Sequence, residues 1–197
     1  MSLLHPRRFL RNIELFLHRV YFVLRCKVSH VQFSIGEGSS FYGCKVFSKG
    51  VGGELVIGEN CVLRNCTFGF YGSSGKIIVG DASKINARKD ARTGLYVKDG
   101  TVITVGEKSL FSNSVEISTT DWHRIVDEDD CFLNVNKDIH IGEHVWICRR
   151  VLIGKGVLIG DGSVVGAGSI VTKSFPNPRL LIAGNPAVVK RRDIIWK

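Results

Sequence analysis

Four prolines and a single methionine stand against twenty-two glycines in these 197 residues. So little proline excludes a collagen-like chain, and 44% hydrophobic with 23% charged residues is globular, which excludes intrinsic disorder and a coiled coil. The length suits one domain or two small ones, with a real core. Six cysteines occur (Cys26, Cys44, Cys61, Cys66, Cys131, Cys148) with no CxxC pair and no cleavable signal peptide, so we expect reduced thiols in a cytoplasmic protein. No long apolar run is present either. In residues 1–27, Glu14, His18 and Arg19 interrupt the apolar residues between Arg11 and Arg25, leaving a segment too short and too charged to span a bilayer.

The net charge of +9 is unevenly spread. Residues 1–27 and 173–197 each hold six Lys/Arg against one acid, whereas residues 28–172 hold fifteen against sixteen. A balanced body between two basic ends does not form a nucleic-acid groove across the domain, so no nucleic-acid partner is expected.

What the chain has in abundance is a repeated triplet of an aliphatic residue, glycine and an acid. It occurs at Ile35-Gly36-Glu37, Ile57-Gly58-Glu59, Val79-Gly80-Asp81, Val105-Gly106-Glu107, Ile141-Gly142-Glu143 and Ile159-Gly160-Asp161, at intervals of 22, 22, 26, 36 and 18 residues. The pattern reads as an eighteen-residue turn with variable insertions. Within it runs a six-residue beat, clearest through Ile141, Ile147, Ile153, Ile159, Val165 and Val171, with Val145, Val151, Val157, Ser163 and Ser169 four places after the first five. That beat fits neither an amphipathic helix nor one long alternating strand. It predicts short strands coiling around a triangular core, three to a turn, with glycine relieving crowding at corners. Earlier turns parse as Ile35, Phe41, Phe47; Ile57, Leu63, Gly69; Val79, Ile85, Ala91; and Val105, Phe111, Ile117. In this parse all extra residues follow the start of the third hexad. The largest insertion, about 118–138, suggests a site more than a stabilising element.

The run IGEHVWICRRVLIGKGVLIGDGSVVGAGSIVTK followed by AGNPA resembles the hexapeptide-repeat acyltransferases. With the preceding STTDWH it is similar to the sugar O-acetyltransferases of bacterial capsule and lipopolysaccharide, the polysialic acid O-acetyltransferases among them. The resemblance implies an all-β left-handed parallel β-helix, a homotrimer with active sites between subunits, acetyl-CoA as acetyl donor and no metal. The expected organisation is a helix or cap over 1–29, the β-helix over 30–175 and a C-terminal loop and tail over 176–197.

Moving an acetyl group from a thioester to a sugar hydroxyl needs a base, oxyanion donors and a groove for the carrier. His123 lies where the family places its catalytic histidine, and its imidazole suits proton abstraction near neutrality. Trp146, from HVWI, matches the family's tryptophan, offering an indole N–H to an oxyanion or a surface for pantetheine. Cys148 stands where glycine is more usual. Ala167 and Gly168 fall on the pantetheine edge; Thr172, Lys173 and Arg191 fall where nucleotide is held, with Arg149, Arg150, Lys155, Lys190 and Arg192 as basic neighbours. Asn86 matches a sugar-binding position, and Asp121 either binds sugar, orients His123 or forms a turn. The open alternatives are N-acetylation of an amino sugar, a zinc-dependent hydratase using His123, His140 and His144, a covalent acyl-cysteine on Cys131 or Cys148, and a non-catalytic scaffold.

Phe9, Leu10, Ile13, Phe16, Leu17, Val20, Tyr21 and Leu24 recur at helical spacing, with Arg7, Arg8, Arg11 and Arg25 around them. This stripe is expected to cover the open first turn, with a peripheral membrane contact through residues 1–27 as the alternative.

Overall fold

The computed structural model describes residues 6–28 and 30–197. The side chains of Arg7, Arg8, Phe9, Leu10, Arg11 and Arg25 lie outside the described residues.

After helix α1 (Pro6–Val28), the chain winds through six turns of three strands each. The first two turns are β1 (Val31–Ile35), β2 (Ser40–Tyr42), β3 (Lys45–Val51), then β4 (Gly53–Ile57), β5 (Val62–Arg64), β6 (Cys66–Ser73). The next two are β7 (Lys76–Val79), β8 (Lys84–Asn86), β9 (Thr93–Lys98), then β10 (Val102–Val105), β11 (Leu110–Phe111), β12 (Glu116–Ser118). The last two are β13 (Ile139–Ile141), β14 (Trp146–Ile147), β15 (Leu152–Ile153), then β16 (Leu158–Ile159), β17 (Val164–Val165), β18 (Ile170–Val171). Finally β19 (Leu181–Gly184) adds to the second sheet on β17, and β20 (Ala187–Arg191) folds back antiparallel on β19. Corresponding strands of successive turns pair in parallel, giving three sheets around one core, a left-handed parallel β-helix.

The six-residue beat has a direct physical origin. Register pairs Ile57 with Val79, Val79 with Val105, Val105 with Ile141 and Ile141 with Ile159, so aliphatic residues stack in a column, each at most 2% exposed. A second column runs Phe41, Leu63, Ile85, Phe111, Ile147 and Val165, and a third runs Val46, Phe68, Leu95, Ile117, Ile153 and Val171. Burying each such side chain contributes about 1.5–3 kcal/mol. The triplet glycine is required by close approach of the next turn: a Cβ at Gly106 would lie 2.6 Å from the Glu143 backbone nitrogen. Where the acid is aspartate it bonds the turn below, Asp81 Oδ1 accepting from Glu59 N at 2.8 Å and Asp161 Oδ1 from Glu143 N at 2.9 Å.

The third column corrects the hexad parse in the first three turns. Its inward residues are Val46, Phe68 and Leu95, not Phe47, Gly69 and Ala91. In the first two turns the second corner is one residue shorter, and a one-residue slip in a strand reverses which side chains face inward. Phe47 therefore points outward, its ring edge-on to Tyr71 at 5.6 Å. In the third turn, extra residues come before the third strand, where Arg88 and Ala91 form an isolated antiparallel bridge. The insertions are thus not confined to one edge.

Helix α1 closes the first turn, but through a face other than the expected stripe. Phe22 and Cys26 are buried, and the Phe22 ring stacks on Phe41 at 4.1 Å and 9°. His18, one turn earlier, packs on Tyr42 at 5.1 Å, and Arg19 Nη2 donates to the Ile35 carbonyl at 3.4 Å. Positions 18, 22 and 26 are successive i, i+4 neighbours, a narrow seam matching one corner of the prism. Ile13, Phe16, Leu17, Val20, Tyr21 and Leu24 face away and are exposed. Among the described residues no helix is long and apolar enough to cross a membrane. Leu180 and Ile182 cover the other end of the core.

Candidate active site

The insertion leaves the third sheet after β12 and returns to the first at β13. Thr119 and Thr120 are still buried, and the Thr119 hydroxyl is hydrogen-bonded to that of Thr101 at 2.6 Å, so the exit is fixed. Beyond it the chain forms a small exposed arm. Val126 and Phe132 make an antiparallel bridge, and Asp127 Oδ1 accepts from Asp129 N at 3.0 Å and from Cys131 N at 2.8 Å at the tip.

His123 sits at the base of this arm, lining a cleft of about 220 Å³ with Lys98, Thr120, Trp122, Phe132 and Asn134. Asn134 organises the base. Its Nδ2 donates to Asp121 Oδ2 at 3.1 Å and to the His123 carbonyl at 2.9 Å, while its Oδ1 accepts from Ile125 N at 2.7 Å. Lys155, from the corner after β15, donates to the Asn134 carbonyl at 2.7 Å and forms a close ion pair with Asp121. The ammonium holds the Asp121 carboxyl below the usual carboxylate range, aided by the Asn134 amide. Trp122, just before His123, has φ 70°, a left-handed conformation unusual for a bulky residue, and packs edge-on to Tyr71 at 4.8 Å and Tyr96 at 5.8 Å.

The structure brings His123 and Asp121 together in one assembly and adds Lys155, which is expected among the coenzyme cations but serves here as the arm's anchor. The Asp121 carboxylate bonds Lys155 and Asn134, while its backbone carbonyl accepts from His123 N at 2.8 Å. Trp146 and Asn86 lie elsewhere, on β14 and β8 of the second sheet. The Trp146 Nε1 is buried without a hydrogen-bond partner, and its ring lies 5.9 Å from that of Trp196 in the C-terminal tail. Trp196 stacks flat on His144 at 4.0 Å and donates from Nε1 to the His144 carbonyl at 2.9 Å. His144, a corner residue with φ 51°, is thus engaged by the tail, and among the described residues no group of three His, Cys, Asp or Glu side chains is placed to hold a metal ion.

Along the last turns, Ala167, Gly168, Thr172, Lys173, Arg149 and Arg191 are all exposed. A Cβ on Gly168 would meet nothing within 4 Å, so this edge is open. Lys173 Nζ lies over the Phe175 ring at 5.8 Å. Cys148 is half-buried, which raises its thiol pKa and opposes the thiolate a nucleophile needs. Sequence reasoning missed Asn134, Trp122, Tyr96 and Trp196. Asn134 lies in a segment without periodicity, and its role exists only once Lys155 and Asp121 converge on it.

A triangular coil bearing a histidine on its longest insertion and an open small-residue edge beside exposed cations defines a hexapeptide-repeat acyltransferase, and the chain belongs to that family. The family description "Bacterial transferase hexapeptide (six repeats)" matches residues 138–173. The polysialic acid O-acetyltransferase of Escherichia coli O1:K1 is 39% identical over 122 residues, 61% of this chain, and the match spans 38% of that relative's length. Among solved structures, the polySia-specific acetyltransferase NeuO aligns with a TM-score of 0.60 and 31% identity over 84% of this chain and 82% of its own. The polysialic acid O-acetyltransferase OatWY aligns with a TM-score of 0.57 and 26% identity over 85% and 88%.

Proposed function

We propose that this protein is an acetyl-CoA-dependent O-acetyltransferase acting on a sugar hydroxyl of a bacterial surface polysaccharide or its precursor. The observation that carries this reading is the anchoring of His123: a base at the mouth of a cleft, on an arm braced by Asn134, Asp121 and Lys155. The names of the three relatives, all polysialic acid acetyltransferases, support a glycan acceptor.

Acetyl-CoA, when bound, supplies the acetyl group as a thioester. The open edge at Ala167 and Gly168 and the exposed Thr172, Lys173, Arg149 and Arg191 fit an extended pantetheine arm and a phosphorylated nucleotide. His123 takes the proton from the acceptor hydroxyl as its oxygen attacks, and returns it to the departing sulfur. Trp146, partly exposed on the second sheet beside Trp196, offers its ring as an aromatic surface for the pantetheine arm.

His123 and Trp146 rise from different parts of one coil, which supports a homotrimer in which one subunit's arm faces another's second sheet. Ile125, Val126, Phe132, Leu133 and Val135 leave the arm with an exposed apolar surface suited to such a contact. We place the protein in the cytoplasm, where acetyl-CoA is made, with the outward face of α1 available to the membrane's inner surface. Acetyl transfer to a panel of defined glycans, compared between the wild type and His123→Ala, tests the proposal. Equal activity in the two would remove His123 as base, and sedimentation at the monomer mass would remove the shared site.

A further inference from the structure

The outward side of the third sheet carries a feature that neither the coil nor the chemistry at His123 requires. Phe47, Tyr71, Trp122 and Tyr96 form a connected aromatic patch, with ring-centre distances of 5.6 Å for Phe47–Tyr71, 4.8 Å for Tyr71–Trp122 and 5.8 Å for Trp122–Tyr96. Two strand glycines make room for it. A Cβ at Gly69 would lie 2.7 Å from Tyr96 Cδ1 and 2.8 Å from Phe47 Cζ, and one at Gly94 would lie 2.5 Å from Tyr96 ring carbons. The Tyr96 ring therefore lies down in a trough made by glycine, its hydroxyl end over Gly94. Glycine in a strand interior costs about 0.5–1 kcal/mol relative to alanine and marks close approach of another group.

The trough joins two clefts. At the Lys98 end of β9 is the cleft holding Trp122 and His123. At the Gly94 end is a second cleft of about 200 Å³, lined by Arg92, Gly94, Tyr96, Ser114 and Glu116. Gly94 to Lys98 spans about 13 Å at about 3.3 Å per strand residue. The guanidinium of Arg92 is fixed in the wall, donating to the Gly43 and Cys66 carbonyls, both at 2.8 Å, and to Thr67 Oγ1 at 3.1 Å. Lys49 lies over the Tyr71 ring at 5.9 Å, and Lys98 Nζ donates to the Trp122 carbonyl at 3.4 Å. Three cations thus border the patch against the carboxylates of Glu116 and Asp99, and Asp99 is engaged by Asn136 at 3.4 Å.

We propose that this surface is an acceptor track: Tyr96 in its glycine trough stacks a sugar unit next to the one acetylated at His123, and the Arg92–Ser114–Glu116 cleft holds a further unit. The ring offers a flat apolar platform to the C–H face of a pyranose, while Arg92, Ser114, Glu116 and the tyrosine hydroxyl supply donors and acceptors for the rim hydroxyls. The acceptor is then an oligosaccharide or polymer, and the bordering cations favour one carrying acidic groups. The track rests on the proposed glycan acetylation but makes a separate claim, since a monosaccharide acetyltransferase would use the His123 cleft without it.

The test compares acetyl transfer to sialic acid, glucose, galactose and N-acetylglucosamine with transfer to five-unit oligomers of each, using the wild type, Tyr96→Ala and Tyr96→Phe. The track predicts that a pentamer is preferred over its monomer. Tyr96→Ala should lower kcat/KM for that pentamer about two- to tenfold more than it lowers kcat/KM for the monomer, while Tyr96→Phe retains most of the preference. Equal use of monomer and pentamer, or a preference that survives Tyr96→Ala, overturns it. Dissociation of the assembly by Tyr96→Ala also overturns it, by making the patch a contact between copies of this chain. Should no glycan be acetylated, the function proposed above fails, and calorimetric titration of the pentamers into His123→Ala decides the track separately. Saturable binding abolished by Tyr96→Ala supports it, and absence of binding overturns it.

Discussion

The turn from Ile141 to Ile159 and the insertion at 119–138 that precedes it are neighbours in sequence and opposites in construction. In the turn, Ile141, Val145, Ile147, Val151, Ile153 and Val157 are all buried, and backbone bonds such as Gly142 N to the Ile159 carbonyl at 2.8 Å tie it to the next turn. Beyond Thr120 the insertion is almost wholly exposed and is held by a few polar side chains, Asn134 foremost. Scaffold stability here is spread over many equivalent positions, whereas placement of the candidate base depends on three or four particular ones. Local stability of that kind permits an arm to meet a partner or substrate without disturbing the coil.

Substitutions can break this contrast from either side. His123→Ala should lower acetyl transfer about 10²–10⁴-fold while leaving the unfolding transition in place, measured by steady-state kinetics and denaturant titration. Ile147→Ala removes a fully buried side chain from the second column and should cost about 2–5 kcal/mol of stability in denaturant titration, with activity per folded molecule retained. Asn134→Ala, which releases both Asp121 and the His123 carbonyl, should cost about tenfold in kcat with little change in unfolding, because geometry rather than folding is lost.

Acid should act on the same anchor. The Asp121 carboxyl is held below its ordinary value by Lys155, so it stays ionised there longer than in the unfolded chain. Its stabilising contribution is full above the ordinary aspartate pKa of about 3.9 and is lost as pH falls through the lowered folded value. Amide exchange in the arm should therefore stay slow to about that pH and speed up in stronger acid, a step absent from Asp121→Asn. The smallest effect is expected from Cys131→Ser. That thiol is exposed at the arm tip, and its replacement should change rate and stability less than about twofold; a large loss of activity would instead favour an acyl-cysteine route.

The coil was legible because its period is physical. Inward aliphatics stack in register with the turn below, so Ile57, Val79, Val105, Ile141 and Ile159 are marked by residue type alone. The parse failed where a corner lost one residue, at Phe47 and Gly69, since both Phe and Gly are compatible with either side of a strand and only pairing decides between them. The helix misled for a related reason. Its long apolar stripe was the more conspicuous, yet the seam that docks is His18, Phe22 and Cys26, chosen by fit to Phe41 and Tyr42.

Local residue chemistry was enough to specify the repeat and the all-β coil, and to mark the segment around His123 as the longest interruption of that repeat, because spacing and side-chain type are properties of the chain in isolation. Which side chains brace that histidine was decided by folding. Asn134, Asp121 and Lys155 are up to 34 positions apart and form a unit only where the arm's base meets the corner after β15. The same holds for Tyr96 on its two glycines: Gly69 and Gly94 are 25 residues apart in sequence, and only parallel pairing through β6 and β9 brings them together beneath one ring.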